Sequence, residues 1–406
     1  MTAPRIRAGL ILLTRVLGWV PRAAPWTHID PRMLDFGASV ASQLVWVPAA
    51  AALLWALGFR RRVVLASLFF TAAVPVMFVN TVYTWPKLLA AGMMVAALAV
   101  LVAAIRGRIP VSTGSVLGAA LSVLGVLAHG GGAFVLPAVG VLWLVLIIRS
   151  PRRWRAVSAA LGVAVVLYLP WALFQRLAYP PGDRLLKWHL AGVIPIDSRS
   201  FPEALVDSYS KLGWGAWLEG REANLSRAFD PGVLADLDFW VPAARSARQT
   251  LEFSATPPAL AVGALILCAF LIAAVVGILR RRFDAELRWP VMIVLSMVGC
   301  ILIWAIVMFL PGAAIVHQGS HTWIVVLLCV PFAWLASRSR VIATAAAVVQ
   351  VAWAVVLYNS APLSPASRLD RWALLLLVIS AVLAVGAMMF RVRRPLMSQQ
   401  PPVATT

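Results

Sequence analysis

The chain has 406 residues, of which 62% are hydrophobic and only 12% are charged, and its formal net charge is +20. A soluble domain is about 45 to 50% apolar and about 25% charged, so this composition indicates an integral membrane protein. The basic residues form short clusters between apolar runs, which is typical of loops beside a membrane and argues against a nucleic-acid partner. The three cysteines lie inside apolar runs and lack the spacing of a zinc site or a disulfide framework.

The N-terminal segment, residues 1–37, carries one short apolar run, IRAGLILLTRVLGWV, which Arg15 interrupts. The run is short for a membrane span, and an arginine is out of place in the apolar part of a signal peptide. We therefore expect an amphipathic helix that lies on the outer membrane surface. A short additional span and a cleaved signal peptide are the alternatives.

Apolar runs of membrane-spanning length then follow one another. They cover residues 38–58, 63–80, 86–105, 112–128, 133–148, 156–174, 257–279, 290–310, 321–337, 341–358 and 371–390. The sequence therefore predicts an all-α fold, a polytopic transmembrane helix bundle with about 11 spans (10 to 12). Six spans occupy residues 38–174 and five occupy residues 257–390, separated by a long stretch at 175–256 and followed by a tail at 391–406.

Arginine clusters follow the first, third, fifth, seventh, ninth and eleventh of these spans, so every second loop is strongly basic. Basic loops remain on the cytoplasmic side of a membrane. This pattern predicts that the tail at 391–406 is cytoplasmic and that residues 175–256 are extracytoplasmic. All five histidines then fall in or beside outer loops, which indicates that a functional site lies on the outer face.

The outer turn NTVYTWPKLL, residues 80–89, separates two of the predicted spans. Pro86 suits the first turn of a helix, which places Lys87 at that helix N-terminus. The helix dipole opposes a lysine there, so an anion held by Lys87 and by free backbone N–H groups would relieve the conflict. The alternative is an interfacial lysine whose ammonium reaches water.

Two further outer turns carry histidines. In AHGGGAFVLP, three glycines follow His129 and allow a sharp turn or the close approach of a ligand. In PGAAIVHQGSHTW, residues 311–323, His317 and His321 are four apart and would share one face if the turn were helical. A metal site needs further ligands, and no carboxylate or cysteine is near in sequence, so hydrogen bonding to a phosphate or a sugar fits better. The plain alternative in each case is a connecting turn.

The outer stretch at 175–256 begins with QRLAYPPGDRLLKWHLAG, which places Arg184 and Lys187 within one or two helical turns of the membrane surface. Its middle predicts two or three amphipathic helices rich in tryptophan that lie on the outer leaflet. Such a cover over a membrane cavity suits an amphiphilic substrate. A solvated loop packed on the bundle is the alternative.

Four features of the chain belong together: the arginine-clustered bundle, the YTWPK turn at 83–87 with its continuation LLAAGMMVAALAVL, the HGGGAFVLP turn and the outer HQGSHTW loop. In these features the chain resembles the bacterial GT-C glycosyltransferases over roughly residues 38–340. The resemblance implies a multi-pass protein of the bacterial inner (cell) membrane that transfers a sugar from a polyprenyl-phosphate donor to an extracytoplasmic acceptor. In that family an acidic residue of the first outer loop is the general base, and basic residues of later outer loops bind the donor phosphate. The candidate substrate-binding residues are then Lys87, His129, Arg184, Lys187, His317 and His321.

The chain departs from the family pattern at its start, because no transmembrane helix followed by an acidic outer loop precedes residue 38. Three explanations stay open: such a segment precedes Met1, the chain is a shortened or non-catalytic relative, or Asp30 in HIDPR is the base. A base is needed to take the proton of the acceptor hydroxyl as it attacks the anomeric carbon. No cofactor is implied, and a divalent metal is unsupported because lysine and arginine can supply the positive charge.

Two other classes of function compete with glycosyl transfer. A transporter or flippase of lipids or lipid-linked sugars would also have many spans and an outer cavity, but transporters often carry ionisable residues in mid-membrane and internal repeats. The predicted spans carry charges almost only near their ends. A non-catalytic membrane scaffold is the third class. A GxSxG motif and a Walker loop are absent, which argues against a hydrolase and an ATP-driven transporter.

Overall fold

The computed structural model of the chain describes residues 31–82, 86–151, 153–177, 182–229, 262–280, 285–309 and 314–360. All regular secondary structure in these ranges is helical, and no strand occurs in them. The predicted all-α fold is confirmed, and seven segments of the described chain are long and apolar enough to cross a membrane. They are Gly37–Leu57, Lys87–Ile105, Val111–Ala128, Gly130–Ile148, Arg153–Leu177, Val262–Leu279 and Leu287–Val307.

The described α-helices follow in chain order, with one 3-10 helix at Gly130–Val135. They are α1 (Pro31–Gln43), α2 (Trp46–Leu57), α3 (Arg61–Ala72), α4 (Pro75–Val82), α5 (Lys87–Ile105), α6 (Val111–Ala128), α7 (Leu136–Ile148), α8 (Arg153–Leu177), α9 (Arg184–Ala191), α10 (Phe201–Ser210), α11 (Trp214–Phe229), α12 (Val262–Leu279), α13 (Ala285–Val307), α14 (Ala314–Leu327), α15 (Cys329–Arg338) and α16 (Arg340–Ser360).

Three of the predicted spans are interrupted, and the one expected at 38–58 is divided at Leu44 and Val45 between α1 and α2. The span expected at 63–80 consists of α3 and α4, and the second of these helices begins at Pro75, which has no N–H to donate to a preceding helical turn. The span expected at 321–337 is divided at Leu328 between α14 and α15. The expected span at 371–390, the tail at 391–406 and most of the N-terminal segment lie outside the described residues, so the total of about 11 spans stays a prediction.

Helix α5 lies at the centre of the bundle and packs against α1, α2, α4, α6, α7 and α14. Glycines let its neighbours approach closely, as is common where transmembrane helices pack. A Cβ added at Gly92 would lie 2.7 Å from the backbone nitrogen of Trp46 in α2. On the side of α6, a Cβ at Gly114 would collide with the Cβ of Ala104. The core therefore depends on backbone contact between helices.

Helix α8 differs from the central helix α5, because most of its side chains are exposed. Val165 is 58% exposed, Val166 is 70% exposed and Leu169 is 48% exposed. A continuous apolar surface of this kind is unfavourable in water and suits contact with lipid. This helix therefore forms part of the lipid-facing surface of the bundle.

One end of the bundle is held together by arginines. Helix α2 is followed by Gly58, which has a left-handed backbone (φ 99°) and whose N–H donates to the Trp55 carbonyl at 3.0 Å. Side chains add further hydrogen bonds at this helix end. Arg106 Nη1 donates to the Ala56 carbonyl at 2.9 Å, and Arg108 Nη1 donates to the Trp55 carbonyl. Cations at a helix C-terminus also interact favourably with the helix dipole. These contacts bring the first and second arginine clusters, which follow the first and third predicted spans, to the same end.

Substitution of Gly92 by alanine tests the contact between α2 and α5. The added Cβ meets backbone atoms that cannot move without separating the helices, so we expect the free energy of unfolding in detergent to fall by about 1 to 3 kcal/mol. Gly162→Ala in α8 is the matched control, because nothing lies within 4 Å of the added Cβ and alanine favours a helix by about 1 kcal/mol over glycine. A melting temperature lowered equally by both substitutions would contradict this packing.

Candidate functional site

The N-terminus of α5 is capped by a side chain from another helix. Pro86 precedes the helix and offers no side-chain cap. Instead, Gln43 Oε1 of α1 accepts hydrogen bonds from the backbone N–H groups of Leu88 at 3.0 Å and Leu89 at 3.1 Å. The expectation that these N–H groups are free to bind an anion is therefore wrong. These two N–H groups are not available to an anion, and the positive charge of the Lys87 side chain remains as a candidate for binding one.

Lys87 itself is buried, with a relative exposure of 1%. The alternative prediction, an interfacial lysine whose ammonium reaches water, is therefore wrong. Transfer of an ammonium group from water into a protein interior is costly unless polar or charged groups surround it. A buried lysine at the end of a membrane-spanning helix is accordingly a functional-site candidate.

The HQGSHTW segment is helical rather than a loop between two spans. It lies within α14, where His317 and His321 are one turn apart and share a face. Its C-terminal part is well packed: Thr322 is 1% exposed, and Trp323 Nε1 donates to the Ser320 carbonyl at 2.6 Å. Helix α14 packs against α4, α5 and the 3-10 helix. The structure thus brings together the elements that carry Lys87, His129, His317 and His321.

His129 ends α6, and the glycines that follow it form the 3-10 helix. Its Nδ1 atom accepts a hydrogen bond from the Gly131 N–H at 3.0 Å, so the neutral imidazole carries its proton on Nε2. The turn is tight, because a Cβ added at Gly132 would lie 3.0 Å from the Gly125 carbonyl oxygen and 3.2 Å from Met94 Cε in α5. The geometry fixes the ring and makes Nε2 a hydrogen-bond donor.

Several buried polar side chains lie on α5 and on three helices that pack against it. Helices α4 and α5 each pack against both α1 and α14. We call the buried polar residues of these four helices the Lys87 cluster; they are Ser39, Gln43, Asn80, Lys87, Ser320 and Thr322. The sequence analysis had not singled out Ser39, Gln43 or Thr322. In the sequence, these three residues could have been recognised as polar residues inside apolar runs.

Lys187 is also buried, at 2% exposure, but its ammonium is directed at the protein. It forms an ion pair with Asp183 at 3.0 Å and donates to the carbonyl of Asp197 at 3.0 Å and to that of Arg199. An ammonium has three protons, and these three acceptors match them. A phosphate bound by Lys187 would have to displace one of these acceptors. Arg184, the first residue of α9, is partly exposed.

The region at 182–229 is attached to the end of α13. Arg221 of α11 donates to the carbonyls of Ile306 at 2.6 Å and Phe309 at 2.8 Å. Asn224 donates to those of Ala305 at 2.9 Å and Met308 at 2.8 Å. These bonds satisfy helix-end carbonyls that would otherwise lack partners. Sequence reasoning did not identify either residue.

The described carboxylates near α10 are poor candidates for a general base. Hydrogen bonds from Arg199 lower the pKa of Asp197 to about 2, and hydrogen bonds from Lys211 and then Arg199 lower the pKa of Asp207. Glu203 caps α10, and its hydrogen bond from the Ser200 backbone N–H lowers its pKa. A base works best with a pKa near the working pH. Asp30, the base candidate from the sequence, lies outside the described residues.

Comparison of the chain with protein-family models, with curated proteins and with solved structures found no match. Within the described residues, no group of three or more histidine, cysteine, aspartate and glutamate side chains is arranged to hold a metal ion.

Paired glutamine substitutions test the cap on α5. Gln43 and Gln350 are both fully buried, but among the described residues the amide of Gln350 in α16 has no hydrogen-bond partner. Gln43→Leu removes the acceptor of two N–H groups, and each group left unpaired costs about 1 to 3 kcal/mol. We expect a clear fall in melting temperature for Gln43→Leu and none for Gln350→Leu. Equal melting temperatures of the two variants would contradict the capping role.

Proposed function

We propose that the chain is a membrane protein of the GT-C glycosyltransferase type that binds a polyprenyl-phosphate-linked sugar beside the Lys87 cluster and transfers the sugar to an extracytoplasmic acceptor. The observation that supports this proposal is the burial of Lys87 at the start of α5, the helix against which the helices carrying His129, His317 and His321 pack. The proposal includes about 11 spans and a place in the bacterial inner membrane.

The chemistry of the cluster suits a phosphate that carries a long apolar chain. A charge-assisted hydrogen bond from Lys87 would bind one phosphate oxygen, and the Nε2–H of His129 offers a neutral donor. The surrounding helices are apolar along most of their length and can accept a polyprenyl chain. A cation held in a water-poor place also stabilises the phosphate as it leaves the sugar.

Transfer requires a base in addition to the phosphate site. In the proposed reaction a carboxylate accepts the proton of the acceptor hydroxyl, the hydroxyl oxygen forms a bond to the anomeric carbon, and the bond from that carbon to the phosphate oxygen breaks. Asp30 is the candidate for this step. Arg184 and Lys187 are the candidates for contacts at the outer region, although Lys187 would first have to exchange a protein acceptor for the phosphate.

Binding of a polyprenyl phosphate to the purified protein tests the phosphate site. We expect Lys87→Met, which keeps the apolar stem of the side chain, to weaken binding about ten- to a hundredfold, because a hydrogen bond to a charged group contributes about 1.5 to 3 kcal/mol. His317→Ala should weaken binding as well. Lys211→Met is the matched control, since the Lys211 side chain is 72% exposed. Equal losses in all three variants would indicate only a general effect of charge and would contradict the site.

Glycosyl transfer by the full chain then separates an enzyme from the other two classes. We expect Asp30→Asn to lower the transfer rate by about 10² to 10⁴ while leaving polyprenyl-phosphate binding intact. An Asp30→Asn variant that is as active as the unchanged chain would exclude Asp30 as the base. Movement of a fluorescent lipid-linked sugar across vesicles without any transfer would instead identify a transporter.

A further inference from the structure

The arginines at the end of α2 form a compact basic surface. The start of α3 and the loop after α5 contribute to it, and we call it the clasp patch; its members are Arg60, Arg61, Arg62, Arg106 and Arg108. All five side chains are exposed. The hydrogen bonds to the Ala56 and Trp55 carbonyls hold the loop after α5 against the end of α2. A Cβ at Gly58 would lie 3.5 Å from Arg106 Nη1 and 3.9 Å from Arg108 Nη2.

The clasp patch has no protein counter-charge among the described residues. None of its guanidinium groups forms an ion pair there, and every acidic side chain whose position is described lies between Asp183 and Glu222. Partial burial, and then repulsion from Arg108, lower the pKa of Arg106. Repulsion between the like charges of Arg106 and Arg108 favours the binding of external anions.

The clasp patch also lies at a membrane boundary. The membrane-spanning segments Gly37–Leu57 and Lys87–Ile105 both end directly before it. Trp55, one turn inside the end of α2, is 51% exposed. Exposed tryptophan at the end of a span is typical of the level of lipid headgroups. The arginines that follow are therefore placed beside headgroups rather than in open water.

We propose that the clasp patch binds the headgroups of anionic phospholipids in the leaflet at that end of the bundle. Guanidinium groups bind phosphate oxygens in pairs, and each basic residue near an anionic membrane surface adds to the attraction. The acyl chains of such a lipid can lie against the exposed apolar side chains of α2, which a free phosphate ion cannot do. This surface is separate from the Lys87 cluster at the N-terminal end of α5 and does not depend on the proposed transfer reaction.

Electron paramagnetic resonance of spin-labelled lipids tests this proposal. The protein is placed in phosphatidylcholine vesicles that contain a trace of spin-labelled phosphatidylglycerol or spin-labelled phosphatidylcholine, and the motionally restricted fraction of each label is measured. We expect several-fold stronger association of phosphatidylglycerol, decreasing as salt is raised to about 1 M, where the Debye length is about 3 Å. Inorganic phosphate should have no more effect than chloride of equal ionic strength. Equal association of both lipids, or specific displacement by phosphate, would overturn the proposal.

Variants locate the effect. The triple substitution Arg60→Gln, Arg61→Gln and Arg62→Gln leaves the hydrogen bonds of Arg106 and Arg108 in place and should remove most of the preference for phosphatidylglycerol. The matched control removes three exposed arginines outside the patch, through Arg153→Gln, Arg155→Gln and Arg340→Gln, and should keep most of it. Melting temperatures show whether both variants are folded, and the salt titration of the unchanged protein needs no variant. An equal loss in both variants would contradict a site at the clasp patch.

Discussion

The ends of membrane helices carry backbone groups without intrahelical partners, and in an apolar surrounding those groups must find hydrogen bonds elsewhere. Three helix ends in this protein are satisfied by side chains that come from distant parts of the chain. Gln43 caps the N-terminus of α5, Arg106 and Arg108 bind the C-terminal carbonyls of α2, and Arg221 with Asn224 binds those of α13. Each cap also fixes one helix against another element, so the arrangement of the bundle depends on them.

The cap on α5 has a direct consequence for function. Because Gln43 occupies two N–H groups of the first turn, the positive charge at this end comes from the Lys87 side chain rather than from the backbone. The same contact fixes α1 beside Lys87, while α14 and the 3-10 helix also pack against α5. A buried cation beside apolar helices that carry a few buried polar side chains is the basis for the proposed phosphate site. The region attached by Arg221 extends from the end of α13.

Composition and apolar length predicted the helical, membrane-spanning class, since both depend on the residues of one segment at a time. The sequence did not predict that a helix begins as early as Ala314, because His317, Gly319 and His321 were assigned to a turn between two spans. The capping role of Gln43 was equally hidden, because the N–H groups it binds lie about 45 residues away in sequence. Lys187 was predicted to bind phosphate from its charge and position, but its three protein acceptors depend on how the chain folds back at Asp197 and Arg199.

The most direct test of the phosphate site is an experimental structure of the protein bound to a polyprenyl phosphate in a nanodisc. The burial of Lys87 and the packing of α14 on α5 predict density for the phosphate within hydrogen-bonding distance of Lys87 Nζ, with the polyprenyl chain along the apolar surface of the bundle. Phosphate density at the arginine-rich end, or beside Arg199 in the region at 182–229, with none near Lys87 would contradict the proposed site.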